Sequence, residues 1–231
     1  MVNKLHLKKA SLLLSFVLLF LDTSFVICND QLVQRIENAQ EFLEDFQSSP
    51  DYDIPLSLFK KCRGIIILRQ YKAGFIFGAK GGRGIALVKD ESNQTWRGPV
   101  FINTGEGSFG FQVGGQALDS IFLIMNQQGL DMLLKLKFKI GVDASVAVGP
   151  LGRDAEAKVG PDVALLAYSK AKGLYAGASF EGGLLLIDHK SNQDFYNQDG
   201  IAVEDILLDQ NRPILKDVSS LISLLNQYSQ F

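Results

Sequence analysis

The sequence predicts an α+β domain. A glycine-rich antiparallel sheet curls toward a barrel, with an N-terminal amphipathic helix and C-terminal helices packed on it. Two observations between Phe101 and Gly152 predict the sheet. Apolar residues alternate with period two: Phe109, Phe111 and Val113 against Gly110, Gln112 and Gly114, then Val142, Ala144, Val146 and Val148 against Asp143, Ser145 and Ala147. Such alternation sends successive side chains to opposite faces of a sheet. Single glycines punctuate these segments, and glycine inside a strand permits a bend or a close backbone approach. The third observation is helical spacing of apolar residues toward both ends of the chain.

The elements follow in order. Lys4, Lys8 and Lys9 precede an apolar run from Ala10 to Leu21, and Asp22-Thr23-Ser24 follows. A basic stretch before a short apolar run reads as an export signal, residues 1–28, with Val26 and Cys28 at the −3 and −1 positions. The run is short for a membrane span, which needs about 20 apolar residues. Acylation of Cys28 and an uncleaved anchor remain alternatives. The remainder, 30–231, is expected to be one domain, because 231 residues at 47% hydrophobic content suffice for a single sizeable core.

Residues 31–47 read as the amphipathic helix. Leu32, Ile36, Ala39, Leu43 and Phe46 form its stripe, Asp30 is a candidate N-cap, and Glu37, Glu41, Glu44 and Asp45 stand opposite with Arg35. A short helix is expected from Leu56 to Cys62, ended by Gly64. Strands are expected from 65–68 onward, at 73–79, 84–89, 99–103, 108–113, 117–125, 136–148, 163–168, 174–180 and 183–188. The glycine run 78–84 is expected to be a hairpin turn. It lies between strand-like segments rather than at a helix N-terminus, so it matches neither a Rossmann nor a P-loop fingerprint. Asn126 to Gly129 reads as a break before a short helix at 130–134. Residues 203–208 and 214–228 are expected to be helical, the last with Pro213 near its first turn.

Several chemistries are disfavoured. The chain has two histidines and two cysteines, of which His189 and Cys62 lie beyond the leader. No HxxxH or CxxC spacing occurs, so no zinc site and no cofactor is expected. His189 beside Asp188 resembles part of a triad, but neighbours in a strand face opposite ways. GASFEG at 177–182 lacks the spacing of a nucleophile elbow. Asp194, Asn197, Asp199 and Gly200 lack the first ligand and the closing glutamate of a calcium loop. The formal net charge of −2 gives no reason to expect nucleic acid.

Local charge is more informative than total charge. Lys60, Lys61, Arg63, Arg69, Lys72, Lys80, Arg83 and Lys89 fall in a window with no Asp or Glu. A locally basic surface on an acidic protein is a candidate anion-binding face. It can equally be a solvated rim paired with acids elsewhere. Lys135, Lys137 and Lys139 occupy one face of LKLKFKI at 134–140. There they either block edge pairing or offer a second phosphate contact.

Several blocks, in order, also resemble the SYLF domain, a lipid-binding domain also found in yeast actin-patch proteins. They are IPLSLFKKCRGIIIL from Ile54, KAGFIFGAKGGRGIALV (72–88), TWRGPVFINTGEGSFGFQVGGQALD (95–119), VGPLGRDAEA (148–157), YSKAKGLYAGASFEGGLL (168–185), and Asn192 with Phe195-Tyr196 before DILL at 205–208. The resemblance covers roughly 40–210. It implies a non-enzymatic protein whose partner is anionic phospholipid at a membrane surface. With the leader, an exported bacterial-type member is expected, in the periplasm, at an outer membrane, or outside the cell. The alternative is an envelope protein that binds a protein partner. Relatives that bind phosphoinositides or actin are cytoplasmic, and their lipid-binding N-terminal helix is basic. The leader and the acidic helix here make both phosphoinositide selectivity and actin binding the lesser expectations, while residues 60–89 supply charge for general anionic-lipid binding. Among the matching residues, Arg153 and Glu181 are a candidate structural pair across two strand ends.

Overall fold

The runs Ile65–Leu68, Ile85–Val88, Phe101-Ile102 and Ile121–Ile124 are buried without a break. That pattern belongs to strands covered on both faces rather than one. A computed structural model of the chain shows how this arises. It describes residues 29–48, 53–74, 77–109, 114–135, 137–151, 160, 162–171, 174–175 and 184–230.

Among the described residues nine strands form one sheet: β1 (Gly64–Gly74), β2 (Phe77–Lys89), β3 (Trp96–Phe109), β4 (Gly114–Ile124), β5 (Lys137–Lys139), β6 (Val146–Val148), β7 (Leu165–Ala171), β8 (Leu174–Tyr175) and β9 (Leu184–Ile187). Their order is β5-β9-β3-β2-β1-β4-β7-β6, with β8 on β7. All pairs are antiparallel except β6 with β7. Strands β1 to β3 are a meander, and β4 returns beside β1, which is a Greek-key order. The sheet curls into a half-barrel.

One face carries Ile65, Ile67, Ile85, Leu87, Phe101, Ile121, Leu123, Leu166 and Tyr168. It is covered by α1 (29–47), α2 (Leu56–Lys61) and α6 (Lys216–Ser229). The other face carries Ile66, Leu68, Ala86, Val88, Val100, Ile102, Phe122, Ile124, Leu165 and Ala167, covered by α3 (Gln127–Leu133) and α5 (Val203–Leu207). The remaining helix, α4 (His189–Tyr196), follows β9. Helix α1 buries the expected stripe together with Phe42. Each fully buried large side chain contributes about 1.5–3 kcal/mol, whereas a partly exposed ion pair contributes about 0–1. Apolar packing therefore holds α1 in place. Its ion pairs set where along the sheet it sits.

Several expectations are corrected. The run 78–84 is not a turn but the interior of β2. A Cβ on Gly82 would press into the carbonyl oxygen of Arg69 and come within 2.8 Å of the Gln70 Cα; one on Gly84 would meet the carbonyl oxygen of Ile67. These glycines let β2 curl tightly against β1, so strand pairing continues where a turn was expected. The expected strand 65–68 is thus part of one long strand, β1, the expected strand 73–79 is split between the end of β1 and the start of β2, and the strand before Phe109 begins at Trp96.

The expected strand 136–148 is divided. Lys139 N donates to the Asp143 carboxylate at 2.6 Å, Gly141 N to Ala144 O at 3.1 Å, and Gly141 adopts φ +80°. An Asp-stabilised turn thus replaces the alternation, and Val142 is exposed. Asn126 caps α3 by accepting from Gly129 N, so the expected break is the helix's first turn. Asp30 lies within α1 rather than capping it, and Gly64 opens β1 rather than ending α2. Helix α4 was not foreseen. Its N-cap is Asp188, which accepts from Ser191 N.

Candidate anion-binding cleft

Cross-strand register builds the site. Asn103 pairs with Arg83, Arg83 with Arg69, Arg69 with Asp119, and Asp119 with Lys170. Residues directly opposite in a ladder share a face. This polar row therefore runs across five strands on the α1 side, just beyond the apolar row of Phe101, Ile85, Ile67, Ile121 and Tyr168. At about 4.8 Å per strand the row spans about 19 Å. Helix α1 runs along it, with Arg35 at the β3 end and Asp45 at the β7 end. Ten residues at about 1.5 Å rise cover about 15 Å, so the helix matches the row in length.

Each end is fastened by charge. Arg35 Nη1 lies 3.2 Å from the Asp188 carboxylate, and Nη2 donates to Ile102 O at 2.8 Å and Asn103 Oδ1 at 3.0 Å. Its guanidinium also sits 5.3 Å from the centre of the Phe101 ring. Burial lowers the Arg35 pKa, opposed by Asp188 and reinforced by nearby Arg83. Burial pushes Asp188 up, but the hydrogen bonds from Ser191 and Arg35 outweigh it and hold the carboxyl below its ordinary value. At the other end Lys170 pairs with Asp45.

Between these ends α1 and the sheet leave a cleft of about 1020 Å³. Its cations are Arg35, Arg69, Arg83 and Lys190, and its carboxylates are Asp119, Asp188 and Asp194. Asp119 holds Arg69 with two bonds, 2.6 and 2.7 Å, and raises its pKa. Asp188 is committed to Arg35 and Ser191. Asp194 holds Lys190 at 2.9 Å. Arg83 is exposed and has no carboxylate or hydrogen-bond partner among the described residues.

The eight cations of 60–89 do not form one surface. Arg69 and Arg83 meet in the cleft. Lys60 and Lys61 lie exposed at the end of α2, and Arg63 pairs with Glu91 at 2.6 Å. Lys89 is buried, not presented to solvent: its Nζ donates to Phe59 O at 3.0 Å and Lys60 O at 2.5 Å. It satisfies the last carbonyls of α2, a use of lysine at a helix C-terminus. Lys72 pairs in register with Lys80, and Lys80 with Glu106; nothing is described of those side chains. Lys137 and Lys139 are exposed around buried Phe138 on β5, at the sheet edge, and Lys135 is exposed just before it. Arg153 and Glu181 lie outside the described residues.

A family model described as "Las17-binding protein actin regulator", Ysc84, matches residues 105–228. This chain belongs to the Ysc84 family. The match agrees with the SYLF resemblance of the sequence. Among Ysc84 relatives, the human SH3 domain-containing YSC84-like protein 1 is 30% identical over 86% of this chain and 60% of its own length. The Xenopus laevis protein of that name is 31% identical over 86% of this chain and 61% of its own. LAS seventeen-binding protein 3 of Saccharomyces cerevisiae is 33% identical over 71% and 36% respectively. The chain thus spans about 60% of the length of the vertebrate relatives. No solved structure matches it.

Within the Ysc84 fold, Arg35, Asn103, Asp119 and Asp188 are cleft residues that the sequence did not single out as site residues. Arg35 had a signal, as the one cation opposite the apolar stripe of α1. The others depend on strand register, which charge pattern alone does not reveal. His189 is exposed at the start of α4. Among the described residues, no group of three or more His, Cys, Asp or Glu side chains could hold a metal. None of the described helices is long and apolar enough to cross a membrane.

Proposed function

We propose that this protein is a non-enzymatic binding protein that associates with anionic phospholipid at a membrane surface. One observation carries the reading: Arg83 stands in an open cleft with no carboxylate partner among the described residues, directly opposite Arg69. Exposed Lys60, Lys137 and Lys139 supply further positive charge outside the cleft. Each basic residue near an anionic surface adds about 1 kcal/mol of attraction. The leader-like sequence of the N-terminus supports an exported location for this surface, in the periplasm, at an outer membrane or outside the cell. N-terminal sequencing of the secreted or membrane fraction tests that placement; an intact Met1 on a cytoplasmic protein argues against it.

Co-sedimentation with vesicles tests the main reading. Binding is expected with acidic phospholipid, to be lost with neutral lipid, and to weaken as salt rises. Absence of binding to acidic vesicles sinks it. The names of the relatives favour a second reading, a protein partner, because one is a LAS seventeen-binding protein. Salt-insensitive capture of a protein by a chain that ignores vesicles supports that alternative.

A further inference from the structure

We infer that the cleft between α1 and the sheet is a discrete site for one phosphate-bearing molecule per chain, with Arg83 as its principal ligand. The inference rests on the membrane reading for its biological source, but its geometry stands apart from it. Attraction to a charged surface needs only scattered lysines. A stoichiometric site needs a cavity, an uncommitted donor and room for the rest of the ligand, and three observations supply these.

First, the carboxylates of the cleft are taken. Asp119 spends both oxygens on Arg69, Asp188 faces Arg35 and Ser191, and Asp194 faces Lys190. Four cations against three carboxylates leave the charge of Arg83 for a ligand. Its planar fork suits two oxygens of a phosphate.

Second, Arg83 lies directly opposite Arg69 in the β1–β2 register. Like charges so placed disfavour the folded sheet, and Arg83 lies close enough to Arg35 to lower its pKa further. No described contact of Arg83 offsets this. A bound oxyanion between the guanidinium groups would.

Third, the next row on this face is bare. Gly81 pairs with Gly105 on one side and Tyr71 on the other. Neither glycine needs its identity for folding. Among the described residues, a Cβ on Gly105 would meet nothing within 4 Å, one on Gly81 would make only ordinary contact at 3.7 Å with Thr104 O, and neither has positive φ. Gly82 and Gly84, by contrast, are forced by backbone contact. The open floor beside Arg83, with the exposed Tyr71 ring at its margin, leaves room for the organic body of a headgroup-sized ligand.

The test is titration calorimetry of the chain with three probes: inorganic phosphate, dihexanoyl phosphatidic acid and dihexanoyl phosphatidylcholine. The phosphatidic acid is expected to bind at one per chain and the phosphatidylcholine not to bind. Equal affinity for inorganic phosphate would assign the site to free phosphate rather than to a lipid headgroup, and would still support an oxyanion site. Arg83→Gln is expected to weaken binding at least about tenfold, the loss of one charge-assisted contact. Its urea midpoint is expected to be no lower than wild type, because a repulsion has been removed. Gly81→Leu should weaken binding at unchanged charge. Asp119→Asn, which releases the fork of Arg69, should tighten it several-fold, a change opposite to that of a damaged fold. Arg83→Gln binding like wild type overturns the site even if the chain still sediments with acidic vesicles. Arg83-dependent binding of the soluble lipid by a chain that ignores vesicles keeps the site and removes the membrane reading. Silence toward all three probes overturns the inference.

Discussion

Asn192 is buried, and its carboxamide does the work of a strand residue. Strand β9 ends at Ile187, opposite Ile102. The next backbone position on β3, Phe101, would have lost its partner there. Instead Phe101 N donates to Asn192 Oδ1 at 2.8 Å, while Asn192 Nδ2 donates to Phe101 O at 3.2 Å and Asp188 O at 3.0 Å. Asn192→Ala removes all three bonds. Phe101 O keeps a bond from Asp188 N at 2.9 Å, but Phe101 N–H loses its side-chain acceptor beside a 0%-exposed ring. An orphaned buried amide costs about 1–3 kcal/mol, and each lost bond contributes about 0.5–1.5 kcal/mol net. The substitution should therefore destabilise by about 3 kcal/mol. At about 2–4 °C per kcal/mol for a domain of this size, Tm should fall by about 6–12 °C. Urea unfolding followed by circular dichroism is the assay, with the midpoint lowered and the slope unchanged. A loss below about 1 kcal/mol would refute the argument, showing that Phe101 N–H finds another acceptor once Asn192 is gone.

Three further outcomes follow from local contacts. Gly84→Ala should destabilise by about 1–3 kcal/mol through overpacking against β1, whereas Gly105→Ala should be neutral or stabilise by about 0.4–1 kcal/mol; paired denaturation curves decide. Lys89→Gln should cost about 1–3 kcal/mol by withdrawing its bonds to Phe59 O and Lys60 O, while exposed Lys60→Gln should change stability by less than about 0.5 kcal/mol. Burial pushes the Cys62 thiol up to about 12. It should resist alkylation until the chain unfolds, as a thiol-labelling time course would show. Because its folded pKa lies above the unfolded value, the native state keeps its proton where the unfolded state has lost it. Its contribution to stability is therefore complete below about pH 8.5 and declines as pH rises toward 12.

Much of the fold was legible because helical period is a local signal. The α1 stripe, α2, α5 and α6 could be read from apolar spacing, and the buried runs of the central strands from their β-branched composition. What failed depended on distant partners. The glycines of β2 look like a turn until β1 is known to press against them. The alternation at 142–148 looks like a strand until Asp143 closes a turn on Lys139. Helix α4 is mostly polar, and its start is marked only by Asp188 with Ser191 three residues on. The same limit governs the cleft. Eight cations close in sequence looked like a patch, yet strand direction carries Lys60 and Arg83 to different places, and Lys89 turns inward. Arg69 and Arg83 were named, but their juxtaposition is a property of register.

The central strands are covered on both faces over only part of their length. Ile65–Leu68 of β1 lie between two layers of side chains, whereas Arg69 and Tyr71 further along the same strand face open space. A single strand thus spans two regimes of local stability. Opening its covered part requires separating helices from both sides, so amides there should exchange with solvent only through global unfolding. Amides beyond Arg69 can open by local fluctuation. The row of Arg83, Arg69 and Asp119 lies at the boundary between these two regimes. Contact at that end can reshape the strand tips without loosening the core that positions them.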